Sequence, residues 1–210
     1  MLLLISSLLL MSCGADKYMK KGEKFLALGE YYDAADLFKQ AYTRTPAKER
    51  DTRGKRALKM AQCYQRINAT PKAIAAYRNA IRYNQASKED QLAYARQLLK
   101  NGDYRQAEKV FLMLKDSMPG NQLVANGLKS AQMAPEWKKQ GSRYIVKRMD
   151  VFNSRRHDYS PVLFGDDYDQ LYFTSTRNEA LGDELSGITG TKAGDIFLSE
   201  KDDRGKWSKP

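Results

Sequence analysis

Apolar residues recur at three- and four-residue spacing from about residue 15 to residue 133, and from Tyr144 onward the spacing shortens to two. The first period predicts amphipathic helices and the second predicts short strands, so the chain reads as α+β in two domains. Within the helical half a frame of small and large positions repeats. Ala34, Phe38, Ala41 and Pro46 follow Tyr18, Gly22, Phe25, Gly29 and Tyr31; Tyr64, Ala73, Tyr77 and Ala80 recur in the same frame; Gly102, Tyr104, Ala107, Phe111 and Pro119 recur again. Repeats are expected near 15–48, 54–87 and 88–121, with a closing helix over 122–133 carrying Leu123, Val124, Leu128 and Ala131 behind Asn121 as N-cap. Small residues (Gly22, Ala61, Ala95) let the two helices of a repeat approach, aromatics fill the space between them, and proline ends the second helix. The middle repeat departs from the frame, with Gln85 where proline is expected and extra residues Glu49 to Arg53 before it.

After a linker over 134–143, strands are expected at Tyr144–Phe152, Ser160–Phe164, Gln170–Ser175 and Asp195–Ser199, followed by a hairpin through Asp202–Gly205 into Lys206–Ser208. A Gly165-Asp166-Asp167 turn and a long segment from Asn178 to Gly194 separate them.

At the other end, Leu2 to Met11 is apolar apart from Ser6 and Ser7, too short to span a bilayer and suited to the apolar region of an export signal. The run Leu10-Met11-Ser12-Cys13-Gly14 resembles the lipobox of bacterial lipoproteins. That resemblance implies removal of residues 1–12 and a covalent diacylglyceryl group on Cys13, the one group expected in place of any cofactor. No Lys or Arg precedes the apolar run, a departure from the usual signal pattern.

The repeated frame resembles the tetratricopeptide repeat, which implies an α-solenoid with a partner-binding groove on its first helices. In that frame the groove positions are Met19, Glu23, Leu26, Leu58, Gln62, Gln65, Leu92, Arg96 and Leu99. They lack the Lys/Asn/Arg set that clamps a C-terminal carboxylate in some members. Asp158-Tyr159-Ser160-Pro161, Leu171 to Arg177 and Asp195 to Ser199 resemble a PD40 (WD40-like) blade, so residues 144–210 are expected to be the first blade of a β-propeller cut short. Lipobox, repeats and blade in this order resemble the PorE-like OmpA-family lipoproteins of the type IX secretion system. The resemblance implies a non-enzymatic scaffold on the periplasmic side of the outer membrane, binding secretion-system or other periplasmic proteins. It also implies that peptidoglycan is held by a C-terminal OmpA-like domain missing from these residues, in a longer parent chain.

The net charge of +11 sharpens this picture. Asp16 to Asp150 holds 28 Lys and Arg against 14 Asp and Glu, and Val151 to Pro210 holds 8 against 11. The basic excess belongs to the helical half, and its aromatics fall at packing positions rather than in a nucleic-acid-binding pattern, so no nucleic acid is expected. An alternative function follows, in which the basic solenoid of a lipid-anchored module binds an anionic cell-wall polymer or membrane surface. Candidate chemistry is sparse. His157 sits among Arg155, Arg156 and Asp158 in a turn; Asp166, Asp167 and Asp169 lack the later ligands of a calcium loop; Gly187 to Lys192 lacks the order of a phosphate loop. Cys63 is expected as a buried free thiol. No catalytic residue, metal or small-molecule substrate is expected.

Overall fold

In the computed structural model the side chains of residues 14–210 are described, and residues 2–13 only by their place in the first helix. The leader over 1–12 and the side chain of Cys13 lie outside the described residues. Among the described residues no helix is long and apolar enough to cross a membrane. The helices are α1 (Leu2–Ala27), α2 (Tyr31–Arg44), α3 (Arg50–Arg66), α4 (Thr70–Arg82), α5 (Lys88–Asn101), α6 (Tyr104–Ser117) and α7 (Gln122–Gln140), and the strands are β1 (Asp158–Phe164), β2 (Gln170–Ser175) and β3 (Asp195–Glu200). The chain divides into a helical unit, residues up to Gly141 with Gly187–Thr189, and a sheet unit, Ser142–Ser186 with Gly190–Pro210.

The helices form antiparallel pairs α1/α2, α3/α4 and α5/α6, and each pair turns at an equivalent residue. Gly29 (φ 79), Asn68 (φ 57) and Gly102 (φ 84) all adopt the left-handed conformation. Behind each, two amide N–H groups reach back to the ending helix: Gly29 to Leu26 O and Glu30 to Phe25 O, Asn68 to Gln65 O and Ala69 to Tyr64 O, Gly102 to Leu99 O and Asp103 to Leu98 O. The same cap is thus built three times, with asparagine tolerated in the middle because its short polar side chain visits this region at low cost. Asn84 (φ 56) repeats the device at the end of α4, where Gln85 stands in place of proline. A left-handed residue follows that helix where Pro46 and Pro119 follow α2 and α6.

The interior follows the frame. Ala34, Phe38, Ala41, Ala61, Ala73, Tyr77, Ala95, Ala107 and Phe111 are buried. A Cβ on Gly22 would stand 2.7 Å from the Phe38 ring, so glycine is what admits the aromatic there. Burial pushes the Cys63 thiol up to about 11, against the opposing pull of Lys59, leaving it neutral and inert.

The extra residues before the middle repeat have a purpose. They start α3 at Arg50 and add Arg53 to Arg56 of the same helix, so that two guanidinium groups lie over the C-terminal end of α2. Arg53 Nη1 donates to Thr45 O at 2.5 Å, and Arg56 Nη1 donates to Ala41 O at 3.3 Å and to Thr45 Oγ1. Free carbonyls and the negative end of the helix dipole make this a favourable seat for cations. Arg56 also pairs with Asp16, tying α3 back to α1.

The sheet unit holds an antiparallel sheet in the order β1-β2-β3. Phe173 pairs with Phe197 across β2 and β3, and Tyr159 with Thr174 across β1 and β2. The β1 register breaks between Tyr159 and Val162, where Ser160 (φ 52) and Pro161 make a bulge. Two sequence expectations are corrected. Tyr144–Phe152 is no strand: its period-2 pattern finds no partner edge among the described residues, Tyr144, Ile145 and Val146 lie exposed, and the Met149 amide bonds Asn153 Oδ1 at 3.0 Å. The region expected to be linker is helical as far as Gln140, since residues 136–140 favour helix and Lys139 bonds Glu136 at 2.8 Å. The last hairpin forms where it is expected, with a Lys201–Trp207 bridge, the Asp202 amide donating to Lys206 O at 2.9 Å and the Ser208 amide to Glu200 O at 2.8 Å.

Candidate functional site

All nine groove residues lie on the first helices of the pairs, α1, α3 and α5. Their roles differ. Leu92 is buried in the core, and Met19, Leu26, Leu58 and Leu99 are half-buried against it. Two of the polar residues are already engaged: Gln62 Nε2 donates to Asp90 Oδ1 at 3.2 Å, and Gln65 Oε1 accepts from the Tyr77 hydroxyl at 2.6 Å. Burial, then the nearby Asp90 carboxylate, raises the Tyr77 phenol and keeps it a neutral donor. Glu23 and Arg96 remain exposed with no ion-pair partner among the described residues. The face therefore has an apolar floor, a fixed amide middle, and one free charge of each sign on α1 and α5.

Asp90 carries a second task. With Ser87 it forms a reciprocal cap at the start of α5, the Ser87 amide donating to Asp90 Oδ2 at 3.0 Å and the Asp90 amide to Ser87 Oγ at 3.2 Å. Gln62 thus locks α3 onto the capped end of α5. At the far end of α5, Lys100 Nζ donates to Asn68 Oδ1 at 2.7 Å. These bonds fix the spacing of the helices that carry the face.

Outside the groove the sequence candidates are structural or solvated. His157 is exposed, and it meets the neighbouring strand through its backbone, its amide bonding Thr176 Oγ1 at 3.2 Å and its carbonyl the Thr176 amide at 3.0 Å. The Asp169 carboxylate folds over Gly165, and among the described residues no group of three acidic, His or Cys side chains is placed to hold a metal ion. Lys192 spends its ammonium inside the long loop, on Asn178 O at 3.0 Å and Ala180 O at 2.9 Å.

Sequence reasoning missed the network that centres on Asp158. Its Oδ1 accepts from Ser175 Oγ at 2.7 Å and Arg177 Nη2 at 3.0 Å, and its Oδ2 from the Ser154 amide at 2.6 Å. Burial opposes ionisation of Asp158, yet these donors outweigh it and hold the carboxyl below its ordinary value. Arg177 lies 5.0 Å over Phe173 and 4.7 Å over Phe197, so one guanidinium joins the ion pair to the aromatic layer. The signal was present as Asp158, Ser175 and Arg177, three polar residues of the stretches that resemble a blade.

No protein-family model and no curated protein matches the chain. Among solved structures, the C-terminal TPR-containing domain of an FK506-binding protein from Plasmodium falciparum is similar at 15% identity and a TM-score of 0.51, over 62% of this chain and 94% of that one. The helical unit has the tetratricopeptide-repeat fold. Two further tetratricopeptide-repeat structures are similar: the first TPR of Spaghetti (RPAP3) bound to an HSP90 peptide, at 18% identity and a TM-score of 0.48 over 60% of this chain and 96% of that one, and the Sgt2 TPR domain from Aspergillus fumigatus, at 20% identity and 0.46 over 65% and 88%. A small three-stranded sheet follows the helical unit in sequence.

Proposed function

We propose that this protein is a non-enzymatic scaffold that takes extended or helical segments of other proteins on the α1/α3/α5 face. The observation that carries the reading is the leucine floor bordered by Glu23 and Arg96, an arrangement suited to an amphipathic segment with opposite charges at its ends. Around that core we place the finer reading. Cys13 in its lipobox context supports a diacylglyceryl anchor on the periplasmic side of the outer membrane. The Asp158, Ser175 and Arg177 positions of the sheet support a PD40-type blade. Lipobox, repeats and blade together support a scaffold role in type IX secretion, a family in which a C-terminal OmpA-like domain, not these residues, holds peptidoglycan.

The test is selection from a displayed random-peptide library on the full chain. Apolar peptides with an acidic residue toward one end and a basic residue toward the other are expected, and Arg96→Glu, at an exposed position, should switch the preferred charge facing it. Peptides of no common pattern, or a set unchanged by R96E and by Leu58→Asp, would sink the reading.

A further inference from the structure

The first helix carries a second surface that the groove does not use. Lys17, Lys20, Lys21 and Lys24 are exposed and follow one another at helical spacing, within about 100° of arc at 3.6 residues per turn. Their side chains fan with Asp16 around an open cavity of about 560 Å³. None of the four forms an ion pair among the described residues. Asp16, the acidic group in the patch, is drawn away to the buried Arg56, and Glu23 stands on the adjoining face of the helix. The opposite side of α1 is committed to packing, with Ala15 and Gly22 buried.

An end helix of a solenoid needs a polar outer face for solubility, and mixed charges would supply one. A face of one sign is a costly way to meet that need. Lys17 with Lys20 and Lys21, and Lys24 with Lys20 and Lys21, are like charges at i,i+3 and i,i+4, each pair weakening the helix slightly. A sheet of negative charge would remove that repulsion. In sequence the stripe begins four residues after Cys13 and six after the apolar run.

From this we infer that the lysine stripe of α1 is a docking surface for a membrane bearing anionic phospholipid headgroups, which lays the first helix against the bilayer and leaves the α1/α3/α5 face free. The inference goes beyond the groove and stands without it. Each lysine close to an anionic surface strengthens attachment about fivefold, and ionic strength weakens the effect.

The experiment is co-sedimentation of the full chain with phosphatidylcholine vesicles, with and without phosphatidylglycerol. Neutral vesicles report whatever the apolar N-terminus contributes. The anionic vesicles should bind roughly several-hundred-fold better at low salt. The variant Lys17→Gln/Lys20→Gln/Lys21→Gln/Lys24→Gln should lose that preference while keeping its helical circular dichroism. A variant of equal charge change elsewhere, Lys39→Gln/Lys55→Gln/Lys109→Gln/Lys115→Gln, should keep most of it. Equal loss in both variants makes net charge responsible and overturns the inference. So does a chain that binds soluble polyglutamate through the stripe but shows no preference for anionic vesicles. Peptide selection on the groove is unaffected by either result, so the two readings fail separately.

Discussion

In the helical unit the most deeply buried side chains are alanines and aromatics, the same few types at the same places in each repeat, whereas in the sheet unit Ser175, Thr176, Arg177 and Ser199 are buried beside only Phe173 and Ala180. The helices are held by shape repeated three times. The sheet is held by one charge network with aromatic rings around it, Phe152 lying 5.3 Å from Trp207 and 6.4 Å from Phe173. Both outer strands leave large apolar side chains in solvent, among them Val162, Phe164 and Ile196. A unit built the first way tolerates the loss of a polar contact, and one built the second way does not.

The largest expected effect comes from removing the charge that centres the network. Asp158→Asn leaves the Arg177 guanidinium, with a side chain only 10% exposed, without a counter-charge, and it turns an amide N–H₂ toward the Ser154 donor. Breaking one side of a buried pair costs about 3–5 kcal/mol. The cost should fall on the sheet unit, read through Trp207 fluorescence in a Trp137→Phe background, with helical circular dichroism melting as before. Acid should act alike. Because the Asp158 carboxyl is held below its unfolded value of about 3.9, its contribution is complete above that pH and fades as pH falls through the folded-state value. An unchanged Trp207 transition, in the variant or at low pH, would mean that the rings hold the sheet without the ion pair.

Shape is tested by the smallest possible addition. Gly127 lies inside α7, where alanine normally stabilises a helix by up to about 1 kcal/mol. Here the new methyl would enter the edge of the fully buried Phe111 ring. Gly127→Ala should therefore destabilise the helical unit by about 1–3 kcal/mol, and Phe111→Leu in the same chain should return part of it. Gly22→Ala, whose methyl would stand 2.7 Å from the Phe38 ring, should show the same sign and a smaller size. Stabilisation by G127A in chemical denaturation would show that the interior gives way more easily than the repeated frame implies.

The repeat frame was legible because each of its positions has a local steric cause that recurs: a small residue where helices touch, a ring in the gap, a left-handed residue at the turn. Asn68 and Asn84 escaped notice because they do a glycine's or a proline's work without looking like either. The seating of Arg53 and Arg56 on the end of α2 went unread, since nothing near them in sequence says that a helix end waits above them. The strand expected at Tyr144–Phe152 failed for the converse reason, alternation being a local signal that a strand obeys only when a partner edge is present. For the nine expected groove residues, the frame named the helices that carry them. Which residues stay free it could not name, because Gln62 and Gln65 find partners 28 and 12 positions away.

The finest test asks whether the polar links between repeats matter at all in a unit held by shape. Ser87→Ala removes one half of the reciprocal cap on α5 and should cost about 1 kcal/mol in urea unfolding of the helical unit. Asp90→Ala removes the other half and also frees Gln62, so it should cost more, by about another 0.5–1.5 kcal/mol. In the Asp90→Ala background Ser87→Ala should be nearly silent, because the hydroxyl and carboxylate act on each other's amides and the second loss has little left to remove. If Ser87→Ala costs the same in both backgrounds, the two halves of the cap act independently, and the spacing of α3 and α5 rests on leucine packing alone.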